Sequence, residues 1–546
     1  MPLNFIAPLI LLLIFLATRT LFLDRLPIFN DEAIYIRWAV LIRDDLSNLF
    51  ISAQDGKTPM FMWLNALTLK LFEDIVLSGR LVSALAAGVT AWLFYLAGRA
   101  AHSQRCGYIA AFLYLILPFF VLHDRLALAD PLAVMLATAL LAILTAWTLT
   151  GTMNPQRGAL LGLVLGLGFL TKTPFLILFI FPLLAVFLSG KGWGKNVRLP
   201  LAVAYLVALC LMAPYQLHQP EQHVVGVDKT LHNANLIKPL IATLQFQNPH
   251  FLNNIREYGE YLWLYITPAV LALALAGGVA ALRKKEALGI LCLLWIALPA
   301  GAFIVLSGEV YSRYYLLSLP PLILLAARPL AELLDGERWQ GRSLAFKSAL
   351  AGFALLCLLP AARLDYAWIV DPRSAPLATK DRWQYTASEY AGYGVREAVQ
   401  LMLKNRGDRA LWLFTSRTWG MPGDALHLYL KDQPKVHLVE LWWAHSMPMF
   451  PSNVEGMVIN RSKYQLRHTR TMRWDETEGA DVYFAARERF FAAERLLPGN
   501  PNLMLVKSYQ TTDGKPSFNL FKRNDAIQVL ITPKQEQKAG PGILLE

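Results

Sequence analysis

The residues that could do chemistry in this sequence are ionisable side chains at the ends of apolar segments. They are Asp31, Glu32, Asp55, Lys57, His123, Asp124, Arg125, Asp130, Lys172, Glu309 and Arg313. A carboxylate can take the proton of an attacking hydroxyl, and lysine and arginine can bind an anionic group such as a phosphate. Such chemistry requires that the fold bring these side chains to one face of the molecule.

The acidic pair lies in the stretch IFNDEAIYIRW, residues 28–38. In a helix beginning there, Asp31, Tyr35, Trp38 and Ile42 share one face, and a carboxylate beside aromatic rings suits a sugar. Two other interpretations compete. The rings could form an interfacial aromatic belt. Asn30 could be an N-cap, with both carboxylates in the first turn complementing the helix dipole by about 0.3–1 kcal/mol each.

The other candidates also have structural alternatives. Asp130 precedes Pro131, which is typical of a helix N-cap followed by proline at the first helical position. Lys172 and Arg313 could extend from span ends to the membrane interface. Glu32 points about 100° away from Asp31 around the helix, so the two carboxylates need not share a role.

The composition indicates what must position these residues. The chain has 546 residues, 55% hydrophobic and 16% charged, and uncharged runs such as 81–98 and 131–149 are about long enough to cross a bilayer. A net charge of +12 could indicate nucleic acid in a soluble protein, but much of the excess lies in short loops. A membrane explains it better, and we predict no nucleic-acid partner. The four cysteines indicate no disulfide framework.

The pattern predicts a polytopic α-helical membrane protein with about eleven spans. They lie near 5–23, 80–98, 107–122, 131–149, 158–171, 174–189, 199–217, 262–282, 287–306, 314–330 and 344–362. The first segment lacks the basic start of a signal peptide, so we interpret it as an anchor. Basic residues concentrate in loops such as 99–106 and 190–198, which predicts a cytoplasmic N-terminus. All the candidates above then lie on the extracytoplasmic side.

The same pattern predicts two domains. Residues 1–362 form a transmembrane catalytic domain with outer loops 24–79 and 218–261, and residues 363–546 form an extracytoplasmic domain. Strand-like runs at 410–416, 435–441 and 503–509 alternate with helix-like runs such as 394–405. This alternation predicts an α/β fold for the C-terminal domain.

Five motifs resemble one family in the family's order. They are FNDEA, DGKTPMFMWL (55–64), RLALADP (125–131), LGLGFLTKTP (165–174) and SRYYLLSLPPLILLAA (312–327). Together they resemble the GT-C superfamily of membrane glycosyltransferases, nearest the protein O-mannosyltransferases and the lipid A aminoarabinose transferase. The resemblance covers about the first 330 residues, and the tail matches only in being an outer domain.

The resemblance implies an inverting transfer of a sugar from a polyprenyl-phosphate carrier to a glycan, lipid or protein acceptor outside the cell (inner) membrane. Asp31 would be the general base, and Asp130 would orient the acceptor or hold a metal. The donor phosphate would be held by Lys57, Arg125, Lys172 and Arg313. The chemistry is consistent, because basic residues stabilise the negative charge that develops on a leaving phosphate.

Several assignments stay open. Glu32, Tyr35, Asp55 and His223 are candidates for substrate or metal binding, and a divalent metal ion is a possible cofactor. The alternative function is a transporter or flippase of a polyprenyl-linked or anionic lipid. Transporters often carry ionisable groups near the bilayer midplane and show repeat symmetry, whereas here the charges cluster at one face, which favours chemistry.

Overall fold

The structure is a computed structural model. It describes residues 3–151, 153–190, 194–218, 237–335, 343–416, 420–441, 477–487, 493–497 and 503–523. Two compact units are present. The membrane unit comprises Met1–Arg25, Phe50–Leu64 and Leu77–Ala378, and the sheet unit comprises Leu26–Leu49, Asn65–Val76 and Thr379–Glu546.

The membrane unit is helical. In chain order its helices, with the short α3 that follows the first loop, are α1 (Leu3–Arg19), α3 (Met60–Thr68), α4 (Ile75–Ala101), α5 (Gln104–Ile116), α6 (Pro118–Asp124), α7 (Ala129–Thr150), α8 (Pro155–Thr171), α9 (Phe181–Ser189), α10 (Lys195–Leu217), α11 (Ile237–Leu244), α12 (Phe251–Tyr265), α13 (Pro268–Lys284), α14 (Ala287–Leu306), α15 (Pro320–Asp335) and α16 (Leu344–Val370). Short 3-10 segments cover Ile51–Asp55, Thr173–Ile180 and Ser312–Ser318. The label α2 belongs to a helix of the sheet unit, which also includes the last four residues of α3 and the first two of α4.

The apolar helices make this an integral membrane protein. Within the described residues, four helices are long and apolar enough to cross a bilayer: α4, α7, α10 and α14. Three bent pairs raise the number to seven if each pair is one span, with bends of 61° (α5–α6), 106° (α12–α13) and 59° (Ser312–Ser318 with α15). A proline begins the second member of each pair, where its fixed φ and missing N–H are tolerated. Eleven spans therefore remain a prediction.

Small residues let two helices of the membrane unit approach closely. A Cβ placed on Gly158 or Gly162 of α8 would lie 2.3 Å from the Pro200 oxygen and 2.2 Å from the Ala204 oxygen of α10. Glycines four residues apart present a smooth stripe, and this allows backbone-to-backbone packing in a membrane. This contact fixes α8, which ends at Thr171, just before Lys172.

The sheet unit is α/β. Its helices are α2 (Asn30–Asp44), α17 (Thr379–Arg382), α18 (Val395–Arg406), α19 (Gly423–Leu430) and α20 (Ala493–Leu496). Its strands are β1 (Leu411–Ser416), β2 (Val436–Leu441), β3 (Asp481–Arg487), β4 (Leu503–Gln510) and β5 (Pro516–Arg523). They form one sheet in the order β2-β1-β3-β5-β4, parallel between β1 and both neighbours and antiparallel from β3 through β5 to β4.

The predicted strands at 410–416, 435–441 and 503–509 and the predicted helix at 394–405 are confirmed as β1, β2, β4 and α18. The two strands that were not predicted are β3 and β5. Every residue of β3 is buried, so it lacks the alternation that marks a half-buried strand. A core of large side chains, including Trp412, Phe414, Phe484 and Phe521, lies against one face of the sheet.

Candidate active site

The acidic pair begins α2 in the sheet unit, and its two carboxylates have different environments. The helix starts at Asn30, so the N-cap is Phe29, and the alternative interpretation with Asn30 as N-cap is wrong. The Glu32 side chain is fully buried, and its Oε2 accepts a hydrogen bond from the Phe29 backbone N–H at 2.8 Å. This bond gives the N-cap backbone N–H a partner at the helix N-terminus, and it is the half of a capping box that Glu32 can supply. The geometry favours the helix-terminus interpretation for Glu32 over metal or substrate binding.

Asp31 and Tyr35 lie on the accessible side of α2. Both are half-buried, whereas the residues between and immediately after them are buried. Of the four residues predicted to share one face, Trp38 and Ile42 are buried, at 1% and 2% exposed, so they do not reach a ligand directly. The Trp38 ring stacks on Tyr35 with centroids 5.9 Å apart. The face that could meet a ligand therefore consists of one carboxylate and one tyrosine.

In the membrane unit, Asp130 and Lys172 form an ion pair. Lys172 Nζ donates to Asp130 Oδ1, and the two side chains are 20% and 6% exposed. Asp130 lies inside the first turn of α7, whose N-cap is Leu128, so the structural alternative with Asp130 as N-cap is wrong. Lys172 follows α8 with an extended backbone, at φ −156° and ψ 123°. Two helix ends thus bring opposite charges together.

Further cations surround this pair. Arg313 and Lys57 are near enough to Lys172 to repel its charge, while Asp130 attracts it. The Tyr314 ring centroid lies 5.6 Å from Lys172 Nζ and 5.9 Å from the Arg313 guanidinium carbon. Both cations therefore lie within reach of the electron-rich face of the same ring. We call Lys57, Lys172 and Arg313 the cation cluster.

The backbone around Lys57 explains its placement. Gly56 ends the Ile51–Asp55 segment at φ 68°, a left-handed conformation that glycine adopts without strain. The Lys57 backbone N–H then donates to the Ser52 oxygen at 3.0 Å, and its carbonyl accepts from the Tyr215 hydroxyl at 3.2 Å. The Lys57 side chain is exposed, and Asp55, two residues earlier, is half-buried.

Arg125 lies in a different environment from the cation cluster. Its guanidinium donates to the carbonyl oxygens of Thr18, Leu21 and Phe22 at 2.9, 2.8 and 3.1 Å. The Thr18 carbonyl lies in the last turn of α1, where helix carbonyls lack intrahelical donors, and the other two carbonyls lie in the loop after it. The geometry favours a structural role for Arg125. His223, the remaining candidate, lies outside the described residues.

His123 and Ser312 form a buried pair beside Arg313, a contact that the sequence did not predict. His123 Nδ1 lies 2.7 Å from the Phe119 carbonyl oxygen, so it carries the proton, and Nε2 accepts from the Ser312 hydroxyl at 3.1 Å. Ser312 immediately precedes Arg313, and the hydrogen bond holds the start of the 3-10 turn that carries it. The SRYY motif contained Ser312, but nothing in it indicated a partner 189 residues earlier.

A divalent metal ion held by the protein alone needs several carboxylate, imidazole or thiolate ligands around one point. Within the described residues, no group of three or more His, Cys, Asp or Glu side chains could hold a metal ion. The Lys172 ammonium contacts the Asp130 carboxylate, which opposes binding of a second cation at that oxygen. The described residues therefore offer no site that would hold a metal ion with protein ligands alone.

Parts of this chain are similar in sequence to known proteins. Residues 56–218 match the family model described as dolichyl-phosphate-mannose-protein mannosyltransferase, a range that includes Lys57, Asp130 and Lys172. An undecaprenyl phosphate-alpha-4-amino-4-deoxy-L-arabinose arabinosyl transferase of Pseudomonas fluorescens is 27% identical over 319 residues, covering 54% of this chain and 52% of that protein. A Pseudomonas savastanoi protein of the same description is 26% identical, covering 56% of each.

The predicted resemblance to GT-C membrane glycosyltransferases is therefore confirmed. The chain spans about half the length of the curated relatives it matches. Solved structures agree on the fold. ArnT from Cupriavidus metallidurans is 15% identical, with TM-scores of 0.58 without ligand and 0.55 bound to undecaprenyl phosphate. Both alignments cover 95% of this chain. The Archaeoglobus fulgidus oligosaccharyltransferase has a TM-score of 0.54 in an alignment that covers 77% of this chain.

Proposed function

We propose that this protein is an inverting glycosyltransferase that moves a sugar from a polyprenyl phosphate, of the undecaprenyl type, to an acceptor on the extracytoplasmic side of the cell membrane. The observation that carries the proposal is the cation cluster around the Asp130–Lys172 pair, with Tyr314 beside two of its members. Relatives whose names state polyprenyl-phosphate-linked sugar transfer support it.

The cation cluster serves the leaving group. When the bond between the sugar C1 and the phosphate oxygen breaks, the electron pair stays on that oxygen, and the polyprenyl phosphate gains a negative charge. Lysine and arginine already held in place stabilise this charge without reorganising. Asp130 holds the Lys172 ammonium toward this position, and Tyr314 flanks Lys172 and Arg313.

Asp31 serves the acceptor. As an acceptor hydroxyl forms its new bond to C1, its proton passes to the Asp31 carboxylate, and the polyprenyl phosphate leaves from the opposite face of the sugar. General-base catalysis of this kind contributes about 10²- to 10⁴-fold. Tyr35 lies one turn from Asp31 and offers the aromatic surface on which the C–H face of a sugar can pack.

The proposal includes an orientation in the membrane. The N-terminus faces the cytoplasm, the membrane domain 1–362 carries the cation cluster at its outer side, and the domain 363–546 is extracytoplasmic. The basic loops at 99–106 and 190–198 support this orientation. Nucleotide sugars are made in the cytosol, so an outer site requires a donor that crosses the membrane on a lipid.

A transfer assay with a labelled polyprenyl-phosphate sugar and membranes containing the protein tests the assignment. Asp31→Asn should lose transfer while binding the donor normally. Lys57→Ala and Arg313→Ala should weaken donor binding as well as turnover. Normal transfer by Asp31→Asn would remove Asp31 from the mechanism, and unchanged donor affinity in both cation variants would remove the phosphate clamp.

A further inference from the structure

The C-terminal chain makes a hydrogen-bond connection to the start of α2, within the sheet unit. The Oδ1 atom of Asn30 accepts from the Met421 backbone N–H at 2.9 Å and from Arg487 Nη2 at 3.1 Å. The Nδ2 atom of the same amide donates to Asp31 Oδ1 at 3.2 Å. One side chain therefore joins the β3 strand and the loop before α19 to the Asp31 carboxylate.

The groups that bind Asn30 are themselves held. Arg487 is 5% exposed and donates through Nε to the Met421 carbonyl. Its Nη1 atom lies 3.6 Å from Glu389 Oε1. Its guanidinium carbon lies 4.8 Å from the centroid of the Tyr390 ring. A buried arginine with this many contacts has little freedom to move, so the atoms that face Asn30 are fixed before any substrate arrives.

The backbone conformation of Gly420 allows the loop before α19 to contact Asn30. Gly420 has φ 85°, and a Cβ at this position would lie 2.0 Å from Asn30 Oδ1. Only glycine therefore allows the loop to pass this close to Asn30. A second anchor lies about two turns further along α2, where the buried Arg37 pairs with Asp424, the second residue of α19.

We propose that Asn30 is a positioning residue through which the C-terminal domain orients the Asp31 carboxylate for its role as base. This inference rests on the proposed function and gives the C-terminal domain a part in catalysis. The amide divides into two functions: its oxygen anchors α2 to the sheet unit, and its NH₂ group fixes the rotamer of Asp31. A carboxylate held in one orientation loses less freedom on meeting an acceptor hydroxyl.

Asn30→Asp separates the two functions in the full-length protein. The new carboxylate keeps the oxygen for Met421 and Arg487 and replaces the donor to Asp31 with an acceptor. Because the Arg487 guanidinium faces the new carboxylate, we expect a melting temperature close to that of the wild type and an unchanged donor KM. We expect a kcat lower by roughly ten- to hundred-fold, as for loss of a hydrogen bond to a charged group. A purely structural Asn30 would leave kcat unchanged, and that result would overturn the inference.

Gly420→Ala tests the same contact from the C-terminal side. It should displace Asn30 and lower kcat, whereas Gly514→Ala, with φ 74° and nothing within 4 Å of its Cβ, carries the same backbone strain and should keep normal kcat. Equal loss in both glycine variants would overturn the inference. Asp31→Asn distinguishes failure of the positioning role from failure of the proposed base. If Asp31→Asn is inactive while Asn30→Asp has normal activity, only the positioning role of Asn30 fails. If Asp31→Asn is active, the proposed role of Asp31 as base fails too.

Discussion

Replacing Lys172 by methionine removes one charge from the Asp130–Lys172 pair with little change of volume. Two effects follow from the geometry. Asp130, only 6% exposed, loses its partner. Breaking a buried pair costs about 3–5 kcal/mol, and because Lys172 is 20% exposed we expect the lower part of that range. In the proposed mechanism, the donor phosphate also loses one charge-assisted hydrogen bond, worth about 1.5–3 kcal/mol, or roughly 10- to 100-fold in affinity.

The double variant Lys172→Met with Asp130→Asn separates these effects. With both charges gone, most of the lost stability should return, because an uncharged pair leaves no buried charge without a partner. Donor affinity should stay weak, because the phosphate still lacks the ammonium. The assay is titration of the purified protein with labelled polyprenyl phosphate, alongside thermal unfolding. Recovery of wild-type donor affinity in the double variant would refute the phosphate role and leave Lys172 as a structural partner of Asp130.

Three further predictions concern stability and pH. Gly162→Ala should lower the melting temperature because its Cβ would meet the Ala204 oxygen at 2.2 Å, whereas Gly301→Ala, with nothing within 4 Å, should leave the melting temperature unchanged or higher. Arg125→Gln should lower the free energy of unfolding by about 2–4 kcal/mol, because three carbonyl oxygens lose their donor, and should leave donor affinity unchanged. Weaker donor binding in the folded variant would instead indicate that Arg125 binds the donor phosphate. The hydrogen bonds from Arg328 lower the pKa of Glu286 below its ordinary value of 4.5, so the stabilisation from this pair is present above pH 4.5 and is lost as the pH falls below it. Between pH 6 and pH 3.5, the melting temperature of Arg328→Met should therefore fall less than that of the wild type. An equal fall in both proteins would contradict the assignment.

The positions of the apolar helices could be predicted because each rests on a local run of hydrophobic residues. Helices α4, α7 and α10 all overlap their predicted spans within a few residues. The strands β1, β2 and β4 were predictable for the same reason, since their patterns are short and local. The buried β3 has no local alternation, and only its neighbours in the sheet make it a strand.

The site was harder to predict where partners come from distant parts of the chain. Burial of Trp38 depends on the tertiary packing of α2, one of whose contacts is the pair of Arg37 with Asp424, 387 residues later. Arg125 resembled a phosphate ligand in its motif, yet its acceptors lie more than 100 residues earlier in α1 and the loop after it. Local periodicity carries no information about such partners. Asp130 and Lys172, in contrast, were both identified from their motifs and lie in contact.

The central claim is that this protein breaks the bond between a sugar and polyprenyl phosphate. The purified protein, reconstituted in vesicles with a polyprenyl-phosphate sugar and crude acceptor from the cell envelope, tests it directly when the lipid products are followed by mass spectrometry. We expect release of free polyprenyl phosphate, its loss in Asp31→Asn, and inverted configuration at the transferred sugar's C1. Movement of the intact lipid-linked sugar across the bilayer, with no free polyprenyl phosphate in any condition, would contradict the claim and identify a flippase.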